Sequence, residues 1–464
     1  MGSLATLLAD AGHEVSGSDP EPRPPMSDVL EARGIRILPG WHPRNVERLP
    51  RDTVVVVGNV CRRDNPEAVR AAELDLRRVS MPGAIAELVL PGRRSLVVAG
   101  THGKTTTTSV LAALLLRAEL DPTVVVGGVS RDLGGSSRFG RGPFLVIEGD
   151  EYDSAYFEKV PKFWSYGPWA AILTSVEHDH LDIYPDVASY ERAFAGLVDR
   201  VDPGGLIAVW AGDERAVALA RGARCRVIPY ALRSDAVPPS TRPVYTAVLH
   251  DDDGPGRLRL DVQGPEGGLW TLSTPLAGEH NARNVLAAAV VAHEVCGLSW
   301  EQIGHGLARY QGVALRQELV GMARDVRVYR DFAHHPGAVA ETLRAMRPLA
   351  LPGRLVAAFE PRSATACRRL HQQDYIQAFS LADAVVLAPV GRQEIPAGDR
   401  LDTEAVAEAL RRRSIDAVAA VSLDRMLELL LDRVGPGDLV LLMSNGAFGQ
   451  LDRRLLERLA EVIP

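Results

Sequence analysis

The chain is 464 residues long, room for roughly three domains at about 150 residues each. Apolar residues make up 46% and charged residues 24%, so the chain can bury a core and is not wholly disordered. The net charge of -7 argues against a general binder of nucleic acid or anionic membrane, and the longest apolar runs, such as 54–57 and 285–291, fall far short of the ~20 residues a membrane span needs. Asp10, His13 and Glu14 stand where a signal peptide would be apolar. The four cysteines (Cys61, Cys225, Cys296, Cys367) lack Cys-x-x-Cys spacing, so neither a zinc site nor a disulfide framework is indicated and a reducing cytoplasm is expected. Of 52 basic residues only three are lysine, at 104, 159 and 162. Where arginine is used almost everywhere, a surviving lysine is a candidate for a task that needs a compact ammonium.

In chain order, Met1 opens directly into an amphipathic helix ending at Gly12, and 14–18 reads as a strand. A dinucleotide-type fold begins with a strand and a Gly-rich turn ahead of that helix. Both are missing from this sequence, and we read its start as an internal Met. Residues 53–57 read as a buried strand, 65–76 as a helix, 95–99 as a strand and 104–118 as a helix. Strands follow at 144–147, 170–174 and 206–210; the polar, Pro- and Gly-rich stretch 233–268 reads as loops or short antiparallel strands, and 282–296 as a helix. A fresh series of strands begins after Gly312, at 326–329, 355–359, 384–387 and 439–443. Short apolar strands alternating with helices predict parallel α/β domains. Boundaries are expected near 92 and 312, giving parts 1–92, 93–312 and 313–464.

The strongest motif runs from Ser95 through Gly100-Thr101-His102-Gly103-Lys104-Thr105-Thr106-Thr107. A buried strand enters a Gly-containing turn and then a helix, whose first N–H groups are unpaired and can cradle phosphate oxygens. Lys104 would reach the β- and γ-phosphates, and the Thr105 hydroxyl would ligate Mg²⁺. The loop is a shortened variant, with Val98 where the strict spacing wants glycine. Mg²⁺ calls for oxygen ligands. The strand 144–147 ends in Glu148-Gly-Asp150-Glu151-Tyr152-Asp153, which places Glu148 near the loop; a merely solvated acidic turn is the alternative. The segment Glu177-His178-Asp179-His180-Leu-Asp182 repeats the design with histidines, read as an additional Mg²⁺ contact through His180, with zinc as the alternative.

Together with His280-Asn281-x-x-Asn284 and Asp331-Phe-Ala-His334-His335-Pro336, these motifs resemble the Mur ligase family over nearly the whole chain. The resemblance implies three domains: a Rossmann-like UDP-binding domain, a central phosphate-loop ATPase domain and a C-terminal Rossmann-like domain. It implies an ATP-dependent carboxylate–amine ligase, with ATP and Mg²⁺ as cofactors. The stretches 151–163, 359–363 and 443–449 resemble members that join the tripeptide L-Ala-γ-D-Glu-meso-diaminopimelate to UDP-N-acetylmuramate in peptidoglycan recycling. Members that add L-alanine to the same sugar nucleotide are the alternative, and a non-catalytic ATP-binding protein is the alternative from another class. A monomer or weak homodimer is expected, with no nucleic acid and no membrane insertion.

Residue by residue, the resemblance makes Lys104, Glu148 and His180 catalytic, with Thr105, Glu148 and His180 holding metal. Gly100 to Thr106, Asn281, Asn284, Arg316 and Asp331 would bind ATP, the asparagines at the adenine edge, Arg316 at phosphate and Asp331 at ribose. Ser18, Asp19, Asn59 and Asn65 would meet the UDP moiety. Tyr152, Asp153, Lys159, His334, His335, Arg362 and Ser363 would line the substrate side, Arg362 and Ser363 facing a peptide carboxylate. The implied chemistry turns a poor acceptor, a carboxylate, into an acyl phosphate that an amine can attack. Placing Arg316 and Asp331 on the third domain implies closure over ATP.

Overall fold

The computed structural model describes residues 1–22, 26–180, 183–250, 256–265 and 267–461. Asp182 lies outside them.

The N-terminal part runs α1 (Gly2–Asp10), β1 (Ser16–Asp19), α2 (Met26–Ala32), β2 (Arg36–Pro39), α3 (Arg44–Glu47), β3 (Val54–Val57), α4 (Pro66–Glu73), β4 (Arg77–Ser80) and α5 (Met81–Leu88). Its strands form two separate parallel pairs, β1–β2 and β3–β4, rather than one sheet. The small core that this part holds for itself centres on Val46, Ala71 and Leu76. The apolar faces of α1 and α5 turn elsewhere: Leu4, Leu7, Leu8, Ala84 and Ile85 belong to the cluster that covers one face of the central sheet. Burying each of those three leucines is worth roughly 1.5–3 kcal/mol, so these helices are held by the neighbouring sheet more than by their own strands. Ser3 and Thr6 add hydroxyl contacts to Ser136 (2.6 Å) and Ser137 (3.0 Å).

The central part comprises β5 (Arg94–Ala99), α6 (Lys104–Arg117), β6 (Thr123–Ser130), β7 (Gly135–Arg138), β8 (Phe144–Gly149), the hairpin β9 (Asp153–Ala155) and β10 (Glu158–Pro161), β11 (Pro168–Leu173), α7 (Val187–Val198), β12 (Leu206–Trp210), α8 (Glu214–Ala220), β13 (Arg226–Leu232), β14 (Tyr245–His250), β15 (Leu258–Gln263), β16 (Leu269–Thr274), α9 (Glu279–Glu294) and α10 (Trp300–Ala308). Ten of these strands form one sheet, in the order β16-β15-β14-β13-β12-β11-β5-β8-β6-β7. The middle is parallel, and the antiparallel pairs lie at the edges, where β14 to β16 resolve the Pro- and Gly-rich stretch into a meander. Helix α6 is buried on every side from Thr105 to Leu115, because the sheet covers one face and α9 and α10 the other. A helix that is apolar all round has to be an interior element. That anchors the loop at its N-terminus.

The C-terminal part contains β17 (Glu318–Ala323), β18 (Val326–Asp331), α11 (Pro336–Ala350), β19 (Leu355–Phe359), α12 (Gln372–Phe379), β20 (Ala384–Leu387), α13 (Thr403–Arg411), β21 (Asp416–Ala419), α14 (Leu423–Leu431), β22 (Leu439–Met443) and α15 (Leu451–Glu461). A second sheet runs β17-β18-β22-β19-β20-β21, parallel except for β17, with helical layers on both faces. The two large sheets meet beside α6: Ser130 bridges Val313, and Arg131 pairs with Glu318 at 2.6 Å.

Candidate active site

The parallel neighbours β11, β5 and β8 deliver their carboxyl ends to one place, where α6 begins. The turn between β5 and α6 fits only glycine at two points. A Cβ at Gly100 (φ +139°) would stand 2.1 Å from Thr174 Oγ1, and one at Gly103 (φ +80°) 2.3 Å from Asn284 Oδ1. Gly103 is also the helix cap and brings no side chain, so the first turn of α6 is left facing outward with its N–H groups. Thr101 ties the loop down, its N–H donating to Ser175 O (2.9 Å) and its hydroxyl to Glu177 O (2.9 Å), while His102 N–H donates to Ser175 Oγ (3.2 Å).

Thr105 donates its hydroxyl to Glu148 Oε1 at 2.9 Å, and Gly127 N–H holds Glu148 Oε2 at 2.6 Å. Burial, with the Asp150 charge behind it, pushes the Glu148 carboxyl up. Arg316 reaches across from the C-terminal part to donate to Thr105 Oγ1 at 3.2 Å, its guanidinium resting over the Phe332 ring. Two hard oxygen donors beside a phosphate-type loop fit Mg²⁺.

Lys104 does not pair with Glu148. Its Nζ donates to both oxygens of Glu151 (3.2 and 3.0 Å) and to Gly100 O (2.6 Å). Glu151 is fully buried, and the residue list drawn from sequence omitted it. Burial alone would raise its carboxyl, but the Lys104 charge and the His180 hydrogen bond bring it down to about 2. Burial likewise opposes charge on Lys104, and Glu151, Asp150 and Glu148 together outweigh it. The other two lysines pair with the same acidic segment, Lys159 with Asp153 (2.5 Å) and Lys162 with Asp150 (2.9 Å).

Several other expected residues hold different partners. His180 (φ +55°) turns Nε2 to Glu151 Oε1 at 2.9 Å. Burial lowers its affinity for a proton, yet the bond and charge of Glu151 prevail and raise it. Asp331 is buried and turned inward, accepting from Gln317 N–H (2.8 Å) and Ala333 N–H (2.7 Å), so its oxygens brace the turn into the C-terminal part. Asn65 caps α4, taking the N–H groups of Glu67 and Ala68, which is a helix-start task, and Asn59 is exposed. Ser18 meets Asn45 (3.3 Å), and Asp19 accepts from Glu21 N–H (2.8 Å). Asn281 donates to Ala277 O (2.8 Å) and Gln317 Oε1 (3.2 Å), Asn284 to Asn281 (3.3 Å), so both amides are engaged within the chain next to the loop.

On the acceptor side, the Tyr152 ring lies 4.4 Å from that of His180, between centroids. His334 bonds Phe332 O at 3.0 Å, and burial lowers its imidazole to about 4. Arg362 is exposed at the end of β19, its guanidinium in the space left by Gly446, and Ser363 accepts Ala366 N–H at 2.9 Å. Thr365, a step further, donates to Asp179 at 2.9 Å and joins the two large parts again.

An α/β chain whose phosphate-type loop faces an arginine from a second α/β sheet belongs among nucleotide-using proteins. Comparison with known proteins narrows this. Residues 1–92 match "Mur ligase family, catalytic domain", 98–292 the Mur ligase middle domain, and 315–446 the Mur ligase glutamate ligase domain. The chain is 33% identical to the UDP-N-acetylmuramate–L-alanyl-γ-D-glutamyl-meso-2,6-diaminoheptandioate ligase of Haemophilus influenzae, with 99% of this chain and 96% of that one covered. It is 38% identical to a UDP-N-acetylmuramate–L-alanine ligase of Kineococcus radiotolerans, over 84% of this chain and 79% of the other. A murein peptide ligase from Psychrobacter arcticus superposes with a TM-score of 0.70 at 30% identity, covering 100% of this chain and 97% of that structure. The chain belongs to the Mur ligase family. Members of that family are ATP-dependent, ADP-forming amide ligases.

Proposed function

We propose that this enzyme joins the tripeptide L-Ala-γ-D-Glu-meso-diaminopimelate to UDP-N-acetylmuramate, with ATP and Mg²⁺, in peptidoglycan recycling. The observation that carries the ligase reading is the meeting of Glu148 and Arg316 on the Thr105 hydroxyl, which joins the loop to the third part of the chain. The choice of tripeptide is supported by the match to the H. influenzae ligase over nearly the full length of both chains.

In this reading Lys104 leaves Glu151 as the triphosphate enters, and its ammonium then faces the β- and γ-phosphates. Arg316 brings a second positive charge from the opposite side, and Glu151 stays with His180. Thr105 and Glu148 would hold Mg²⁺, which when bound neutralises phosphoryl oxygens. An oxygen of the sugar-borne carboxylate attacks the γ-phosphorus and ADP departs, leaving an acyl phosphate. The tripeptide α-amine attacks the acyl carbon, phosphate leaves, and the amine proton passes to solvent. The protein contributes position and charge. Arg362 would take a peptide carboxylate, His334 and His335 would lie on the acceptor side, and Ser18 and Asp19 would meet the UDP moiety. No helix among the described residues is long and apolar enough to cross a membrane. A cytoplasmic setting and a monomer or weak homodimer complete the proposal.

A second reading, addition of L-alanine to UDP-N-acetylmuramate, is favoured by the 38% identity to the K. radiotolerans enzyme. ADP release measured with UDP-N-acetylmuramate and either tripeptide or L-alanine separates the two. Turnover with L-alanine and none with tripeptide overturns the first reading.

A further inference from the structure

Across from the Lys104 pair, a cleft of about 470 Å³ opens between the central and C-terminal parts, lined by Glu177, His178, His335, Gly337 and His371 among others. Three side chains in it converge although they are far apart in sequence. His102 comes from the phosphate-type loop, Glu177 from the segment after β11, and His335 from the residue that precedes α11. Each offers one donor atom, and the three atoms lie within 4.8 Å of one another. Glu177 Oε2, His335 Nδ1 and His102 Nε2 all border Gly337, at 3.6, 3.6 and 3.9 Å from the place its Cβ would take.

Both imidazoles are short of hydrogen-bond partners, while the Glu177 side chain is exposed and faces His102. His102 Nε2 and both ring nitrogens of His335 are buried without a hydrogen-bond partner. Such orphaned nitrogens are costly unless something takes their lone pairs or protons. His102 Nε2 and Glu177 Oε2 are already 3.4 Å apart. Two ligands at ~2.1 Å from a tetrahedral zinc lie about 3.4 Å from each other. The nearby arginines are already engaged, Arg344 with Glu341 and Arg215 with Glu191.

We propose that His102, Glu177 and His335 form a site for a zinc-class divalent metal that clips the phosphate-type loop to the C-terminal part, with its fourth position open to the cleft. Two imidazoles and one carboxylate suit Zn²⁺ or Co²⁺ and disfavour Mg²⁺, which wants oxygen donors alone. This site is separate from Thr105 and Glu148 and does not depend on which amine is ligated.

The test is a titration of the full chain, freed of metal by chelation, with Co²⁺ as a spectroscopic stand-in for Zn²⁺. One equivalent is expected to give the intense visible absorption of four- or five-coordinate Co²⁺, to be displaced by Zn²⁺ and not by Mg²⁺, and to raise the melting temperature by mass action. His335→Ala and Glu177→Gln should each weaken Co²⁺ binding by at least about tenfold. Circular dichroism checks that each variant is folded. An unchanged titration in the folded variants, a thiolate charge-transfer band, or equal competition by Mg²⁺ would overturn the assignment.

Discussion

The two ends of the proposed active site are built differently. At the phosphate end, Lys104, Thr105, Glu148 and Glu151 are all buried or nearly so and hold one another in pairs at 2.9 to 3.2 Å, on β8, the turn after it and the first turn of α6. At the acceptor end, Arg362 and Lys159 are exposed, and Asp153 and Ser363 sit in a hairpin and a turn. Phosphoryl transfer needs charge placed before the reaction begins, so its groups are locked in advance. An acceptor that arrives from solvent can be met by side chains that order only around it.

Substitutions at the phosphate end should break this contrast most severely. Lys104→Ala should cost about 10³-fold or more in kcat for ADP release with circular dichroism unchanged, and full activity would remove the loop from the mechanism. Glu148→Gln should lower kcat by about 10²-fold and raise the Mg²⁺ concentration needed for half activity. Glu151→Gln leaves a buried ammonium poorly paired and should destabilise by about 3 kcal/mol, read by urea denaturation. The pH dependence of that loss has a definite sign. Glu151 is held near 2 against an ordinary 4.5, so its contribution is complete above 4.5 and fades as pH falls toward 2. His180 is raised above an ordinary 6.5, so its share is complete below 6.5 and fades as pH rises through its folded value. The gap in melting temperature between the parent and Glu151→Gln should therefore be widest between 4.5 and 6.5. Arg362→Ala should act at the other end, raising KM for the tripeptide about tenfold while KM for ATP holds. Lys159→Ala, which breaks an exposed pair, should change stability by less than about 1 kcal/mol.

The phosphate end was also the more legible in sequence. A strand, a Gly-containing turn and a lysine in an arginine-rich chain are local signals, and the Glu148 position follows from the rule that parallel strands end at the site. Which acid takes the lysine is not local: Asp150 and Glu151 are neighbours, and only the folded turn after β8 aims one of them at Lys104. Asn65 carries a second local signal. Asn-Pro-Glu is a helix-start pattern, and the asparagine serves as the cap that pattern describes. The N-terminal strands were readable one by one, but their separation into two pairs, and the loan of α1 and α5 to the central sheet, depend on contacts more than 100 residues apart such as Ser3 with Ser136. His102, Glu177 and His335 come together for the same reason.

The distribution of side-chain amines has a practical consequence. All three answer to acids within 150–153, so amine-directed tagging reads one small area of the surface. Lys159, 64% exposed, would react first, ahead of Lys162 at 18% and Lys104 at 11%. Fixed to an amine-reactive support through that first residue, a molecule would be tethered by the hairpin and present the rest of its surface to the bulk.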